Sequence, residues 1–275
     1  MSDQASGLVR EPKIINIVSG KGGVGKSLLS VNLAIALSER NRKVLLFDAD
    51  IGFGSVEILL GSTMKKTLKD YFRKNSSLED ILMPSEYGID ILSSGLDVED
   101  LVYFNVGDKS QLYRDFINVT RRYDYIILDF PPGYNENLEN FYEASDFLIV
   151  VSTPEPTSLI NTYTFIKVMA VKGVDPKELH LVMNMVKDLK EGRKTIDKLV
   201  GVIERFIGVS ITATHIMKYD NIVKKSVSQQ KPFVIYKKTA QPSLAVYRIT
   251  NMILREKGEK KASFFDKIKA FLGIG

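Results

Sequence analysis

The sequence predicts a doubly wound α/β domain on a mostly parallel sheet, and three observations carry that prediction. Short apolar, β-rich runs alternate with longer stretches of helical periodicity along nearly the whole chain. Several short runs are continuously apolar, as strands covered on both faces are. The 275 residues are enough for one such domain with a self-sufficient core.

In chain order, strands are predicted at 14–18, 44–47, 89–92, 125–128, 147–151, 181–183 and 209–212. Helical patterns at 27–39, 109–122, 137–144, 158–171 and 193–206 fall between them, and 221–228 and 243–257 follow the last strand. Composition shifts only at the ends. That divides the chain into a polar arm (1–12), the α/β domain (13–257) and a charged hinge with a short apolar tail (258–275).

Composition excludes several functions. There is no cysteine, hence no disulfide framework, thiolate metal site, iron–sulfur cluster or cysteine nucleophile. Lysine and arginine exceed aspartate and glutamate by 38 to 33, which favours anionic partners without choosing among nucleotide, lipid headgroup and nucleic acid. No apolar run approaches the ~20 residues that span a bilayer. The polar start lacks a signal peptide's apolar core, so a cytoplasmic protein is expected.

The strongest motif is Gly20-Lys21-Gly22-Gly23-Val24-Gly25-Lys26-Ser27, with Leu28 next in the opening helix. It fits G-x-x-x-x-G-K-[ST] between a strand and a helix, the context of a P-loop. Glycines let backbone N–H groups turn inward onto phosphate oxygens, and the helix N-terminus adds partial positive charge. Lys26 supplies a cation for the β- and γ-phosphates, and the Ser27 hydroxyl is placed to ligate Mg2+. A nucleoside polyphosphate and Mg2+ are therefore the expected ligands.

Carboxylates stand at two strand ends. Asp48 and Asp50 follow Leu45-Leu46-Phe47, and Asp129 follows Tyr125-Ile126-Ile127-Leu128. A lone aspartate there is usually a cap or turn residue; three beside a P-loop favour metal and water chemistry. Asp129 reads as the residue holding Mg2+ directly or through water, and Asp50 as the one orienting the attacking water. Asn184, ending Leu181-Val182-Met183, stands where an amide reads a base edge or simply closes a strand-end turn.

Lys21 makes the loop K-G-G-V-G-K-S. With Asp48-Ala49-Asp50-Ile51-Gly52, Asp129-Phe130-Pro131-Pro132-Gly133 and Thr153-Pro154-Glu155-Pro156-Thr157, it resembles the MinD/ParA-type deviant Walker A ATPases over nearly the whole chain. The resemblance implies a SIMIBI/MinD-like P-loop NTPase and an ATP-bound homodimer with slow, switch-type hydrolysis. Lys21 would reach the phosphates of the opposite subunit, and Asp50 would be catalytic. Asp48 and Asp129 would hold Mg2+-bound water, and Asn184 would recognise adenine.

In the tail, Phe264, Phe265, Ile268, Phe271 and Leu272 share one helical face, with Lys267 and Lys269 on its flanks. That suits a helix lying in an anionic membrane surface, weak alone and strengthened by dimerisation. The charged hinge is expected to keep it off its own domain. The chain is thus expected on the cytoplasmic face of the cell membrane when ATP-bound.

The arm carries Asp3, Gln4, Ala5, Leu8 and Arg10, similar to the D-Q-A-x-x-L-R element of the family's flagellar-number regulators of the FlhG type, with Val9 where arginine is expected. That likeness implies the SRP-type GTPase FlhF and flagellar switch-complex proteins as partners. Division-site regulators share the loop and the tail but not the arm. A DNA-partitioning ATPase would use scattered lysines such as Lys224, Lys225, Lys237 and Lys238, a reading the membrane-type tail disfavours.

Overall fold

The computed structural model describes residues 11–49, 55–63, 65–95, 106–255 and 264–273. Its strands are β1 (Lys13–Val18), β2 (Val44–Asp48), β3 (Met83–Pro84), β4 (Asp90–Ser93), β5 (Tyr125–Asp129), β6 (Phe147–Ser152), β7 (Leu179–Val186) and β8 (Ala213–Lys218). They form one sheet in the order β3-β4-β2-β5-β1-β6-β7-β8, parallel throughout except for the short β3–β4 edge. β1, β2, β5 and β6 are almost wholly buried, which explains why their sequences are mostly apolar, with Asn16 of β1 as a buried exception.

The helices are α1 (Lys26–Ser38), α2 (Ser55–Leu60), α3 (Leu68–Phe72), α4 (Val106–Thr120), α5 (Glu139–Glu143), α6 (Pro156–Val171), α7 (Leu189–Ile207), α8 (Asn221–Ser228), α9 (Phe233–Tyr236), α10 (Gln241–Arg255) and α11 (Phe264–Phe271). Residues of α1, α2, α9 and α10 form the apolar layer on one face of the sheet. Residues of α4, α5, α6, α7 and α11 form the layer on the other. The doubly wound prediction therefore holds, and the order reverses at β1, where ligands of such sheets bind beyond the strands' carboxyl ends.

Three predictions are corrected. The last strand runs from Ala213, not over 209–212. Val209 and Ile211 are apolar because they pack on the layer of α6 and α7 from a connection, while β8, an edge strand, mixes Thr214 and His215 into its sequence. α7 begins at Leu189, four residues early, because the Asp188 carboxylate accepts a hydrogen bond from the Glu191 N–H and caps the helix there.

The third correction concerns the tail. α11 does not stand off the domain: Phe265, Ile268 and Leu272 are buried to 5%, 6% and 4% exposure, and the helix packs on α5 and α4. Burying such side chains is worth about 1.5–3 kcal/mol each, enough to outweigh the freedom of a charged hinge. The side chains of Phe264, Lys267 and Phe271, and residues 256–263, lie outside the described residues.

Candidate nucleotide site

The loop between β1 and α1 is built as the motif requires. Gly25, at φ +90°, caps α1 in the left-handed region without a side-chain hydrogen bond, leaving the first N–H groups of the helix uncapped by any side chain. No acidic residue occupies the first turn, so the positive helix end is available to an anion. Gly20 is needed for a different reason: a side chain there would run into the Asn161 carbonyl of α6.

Lys26 is buried, and its Nζ donates to Asp129 Oδ1 at 2.8 Å. Ser30, one turn further along α1, donates from Oγ to the same oxygen at 2.9 Å. The other oxygen, Asp129 Oδ2, is buried and has no hydrogen-bond partner among the described residues. Asp48 pairs in register with Asp129 on the adjacent strand and is itself buried. An orphaned carboxylate oxygen beside a second aspartate and the half-buried Ser27 is a donor set that fits Mg2+, a hard cation seeking oxygen. No cluster of three or more histidine, aspartate or glutamate side chains forms a metal cage among the described residues. Mg2+ needs none, because phosphates and water complete its shell.

Lys21 is placed quite differently. Its Nζ donates to Glu155 Oε2 at 2.8 Å and to Thr157 Oγ1 at 3.1 Å, at the exposed start of α6. The Gly133 N–H donates to the Ser19 carbonyl at 2.7 Å, tying the segment after Asp129 to the root of the loop.

Beyond the loop lies a cleft of about 480 Å3, lined in part by Leu28, Asn184, Met217, Tyr219 and Val223. Its size suits a small-molecule ligand. Asn184 lines it, with both ends of the amide engaged: Nδ2 donates to the Val24 carbonyl, and Oδ1 accepts from the Met185 N–H, each at 2.8 Å.

The structure thus brings Gly20 to Leu28, Asp48, Asp129 and Asn184 to one end of the sheet. Asp50 and the arm residues Asp3, Gln4, Ala5, Leu8 and Arg10 lie outside the described residues. Sequence reasoning missed Ser30 and the pairing of Lys21 with Glu155. A hydroxyl one turn after Lys26, inside an otherwise apolar helix, was the available signal for the first. The second joins residues 134 positions apart, and no local pattern announces it.

A family model described as "ParA: NUBPL iron-transfer P-loop NTPase" matches residues 11–254. The antiactivator FleN of Pseudomonas aeruginosa is 31% identical over 225 residues, covering 82% of this chain and 80% of that protein. The flagellum site-determining protein YlxH of Helicobacter pylori is 31% identical over 271 residues, covering 95% and 91%. Among solved structures, the MinC:MinD cell division complex of Aquifex aeolicus superposes with a TM-score of 0.70 at 21% identity, covering 91% of this chain and 99% of that one.

Proposed function

This chain belongs to the ParA/MinD family of P-loop NTPases, and on that premise we propose that it is an ATP-driven switch controlling flagellar number and placement from the membrane surface. ATPase activity is the family's, and the FleN and YlxH likeness supports the flagellar assignment. Iron transfer does not carry over, because a chain without cysteine offers no thiolate to a cluster.

The observation that carries the switch is α11, whose apolar face is lodged on α4 and α5. A helix cannot insert into lipid with the face it is burying, so membrane attachment requires release. The dock is joined to the nucleotide site: Phe130, next to Asp129, meets Phe141 of α5 edge-on at 5.3 Å. A shift of the Asp129–Gly133 segment on nucleotide binding would press on the floor under α11.

At the site, Lys26 exchanges Asp129 for phosphate oxygens. Mg2+, held by Ser27 and through water by Asp48 and Asp129, would neutralise phosphate charge. Asp50 orients the attacking water, and Lys21 leaves Glu155 for the phosphates held by a second copy in an ATP-bound homodimer. The partners proposed are an anionic bilayer, the SRP-type GTPase FlhF through the arm, and switch-complex proteins.

Sedimentation with phosphatidylglycerol vesicles tests the switch: ATP is expected to carry the chain down with the vesicles and ADP to leave it in solution. Equal binding with both nucleotides would discard the gating. GTP hydrolysis by FlhF with a peptide of residues 1–11 tests the flagellar role, with stimulation lost in the Gln4→Ala peptide. Without stimulation, the reading moves to division-site placement. Asp50→Ala is expected to bind ATP yet lose multiple-turnover phosphate release by about 100-fold or more; normal turnover would remove Asp50 from the mechanism.

A further inference from the structure

We infer that Asn184 is a positioning residue for the phosphate loop itself, acting on the polyphosphate whether or not a base is present. The inference rests on the nucleotide reading above and assigns the amide a task apart from the base.

The geometry starts at the end of β7. The β7–β8 register breaks between Met183 and Val186, and Met185 takes φ +57°, a left-handed conformation uncommon for a residue with a side chain. Such a conformation persists only where surrounding contacts hold it. Here the Met185 N–H donates to Asn184 Oδ1 at 2.8 Å, and beyond the break the Tyr219 N–H donates to the Val186 carbonyl at 2.8 Å. The chain turns sharply and locks the Asn184 side chain against its own backbone.

The locked amide reaches 160 residues back in sequence, where Nδ2 donates to the Val24 carbonyl at 2.8 Å. Its orientation is unambiguous, since a carbonyl faces one end and an N–H the other. In a trans peptide the C=O and N–H point in opposite directions. Drawing the Val24 carbonyl toward β7 therefore turns the Gly25 N–H the other way, toward the hollow of the loop where phosphate oxygens bind. Gly25 is required by the same contact, because a Cβ there would sit 2.5 Å from Asn184 Nδ2. An asparagine amide has two N–H donors and two lone pairs, so one of each remains for a base edge. The residue thus links the base end of the cleft to the loop through one rigid group.

The test separates base from phosphate. Displacement of labelled ADP by inorganic tripolyphosphate, and separately by adenosine, is measured for the wild type and for Asn184→Ala, with thermal melting as a fold control. Tripolyphosphate affinity is expected to fall roughly two- to tenfold, the worth of one neutral hydrogen bond, at a temperature where melting shows the variant still folded. Unchanged tripolyphosphate affinity beside weakened adenosine binding would overturn the inference and confine Asn184 to the base. As a second measurement on the unmutated chain, one Asn184 side-chain amide proton is expected to exchange slowly in the tripolyphosphate complex; fast exchange of both would also overturn it. A wild type that binds neither ADP nor tripolyphosphate would instead sink the nucleotide reading itself.

Discussion

Two lysines of one loop, Lys26 and Lys21, each hold a carboxylate at 2.8 Å, and the resemblance ends there. The Lys26–Asp129 pair is sealed in the core, with side chains 6% and 0% exposed; the Lys21–Glu155 pair lies at the surface, at 37% and 64%. Equal length does not mean equal worth. In the buried pair neither charge has water to fall back on, so losing one partner is costly to the other. In the exposed pair water competes for both groups and the net gain is small. The difference matches their proposed tasks. Lys26 is held tightly until phosphate replaces Asp129, whereas a lysine that must cross to another subunit has to leave its partner easily.

The largest expected effect breaks the buried side of that comparison. Asp129→Asn should lower the stability of the nucleotide-free protein by about 3–5 kcal/mol, read by chemical denaturation. Adding Lys26→Met should restore much of the loss, since the buried ammonium that Asp129 balanced is then gone as well. An additive double mutant would mean the two groups do not depend on each other.

His215 tests whether burial alone makes a cation costly. Burial, with Arg248 and Arg193 nearby, pushes its pKa from 6.5 down to about 4. The unfolded chain takes up the proton near 6.5 and the folded one resists it until about 4. Stability should therefore fall as pH drops through that window, by on the order of 3 kcal/mol, and the penalty should be constant below it. His215→Gln should flatten this part of the pH profile; an identical slope would assign it to other groups.

Ser30→Ala sharpens the comparison further by removing the second donor on Asp129 Oδ1 while leaving Lys26 in place. A loss of about 1 kcal/mol is expected, with Ser30→Thr retaining most of the stability. The smallest effect belongs to Glu155→Gln, where melting should move by no more than ~0.5 kcal/mol in stability. If that variant unfolds as readily as Asp129→Asn, exposure is not what distinguishes the two pairs.

Much of this was legible locally. The P-loop follows from its glycines and their place between an apolar run and a helix, and the carboxylates from their position at strand ends. β1, β2, β5 and β6 announced themselves because both faces are covered and most residues are apolar, Asn16 of β1 excepted. β8 did not, because an edge strand tolerates Thr214 and His215 while the connection before it carries Val209 and Ile211. The tail showed a clear amphipathic face but not its occupant, since a bilayer and the chain's own α4 and α5 offer it the same apolar chemistry.

The sequence by itself determined the fold class, the phosphate loop, the placing of Asp48 and Asp129 at strand ends, and the absence of cysteine. These depend on spacing along the chain and on residue type, which a sequence displays directly. Only the tertiary structure decided that Ser30 shares Asp129 with Lys26, that Glu155 holds Lys21, that Asn184 grips Val24, and that α11 is stowed. Periodicity reports which face of an element is buried. It carries no information on what lies across the interface, because that is set by how distant elements pack.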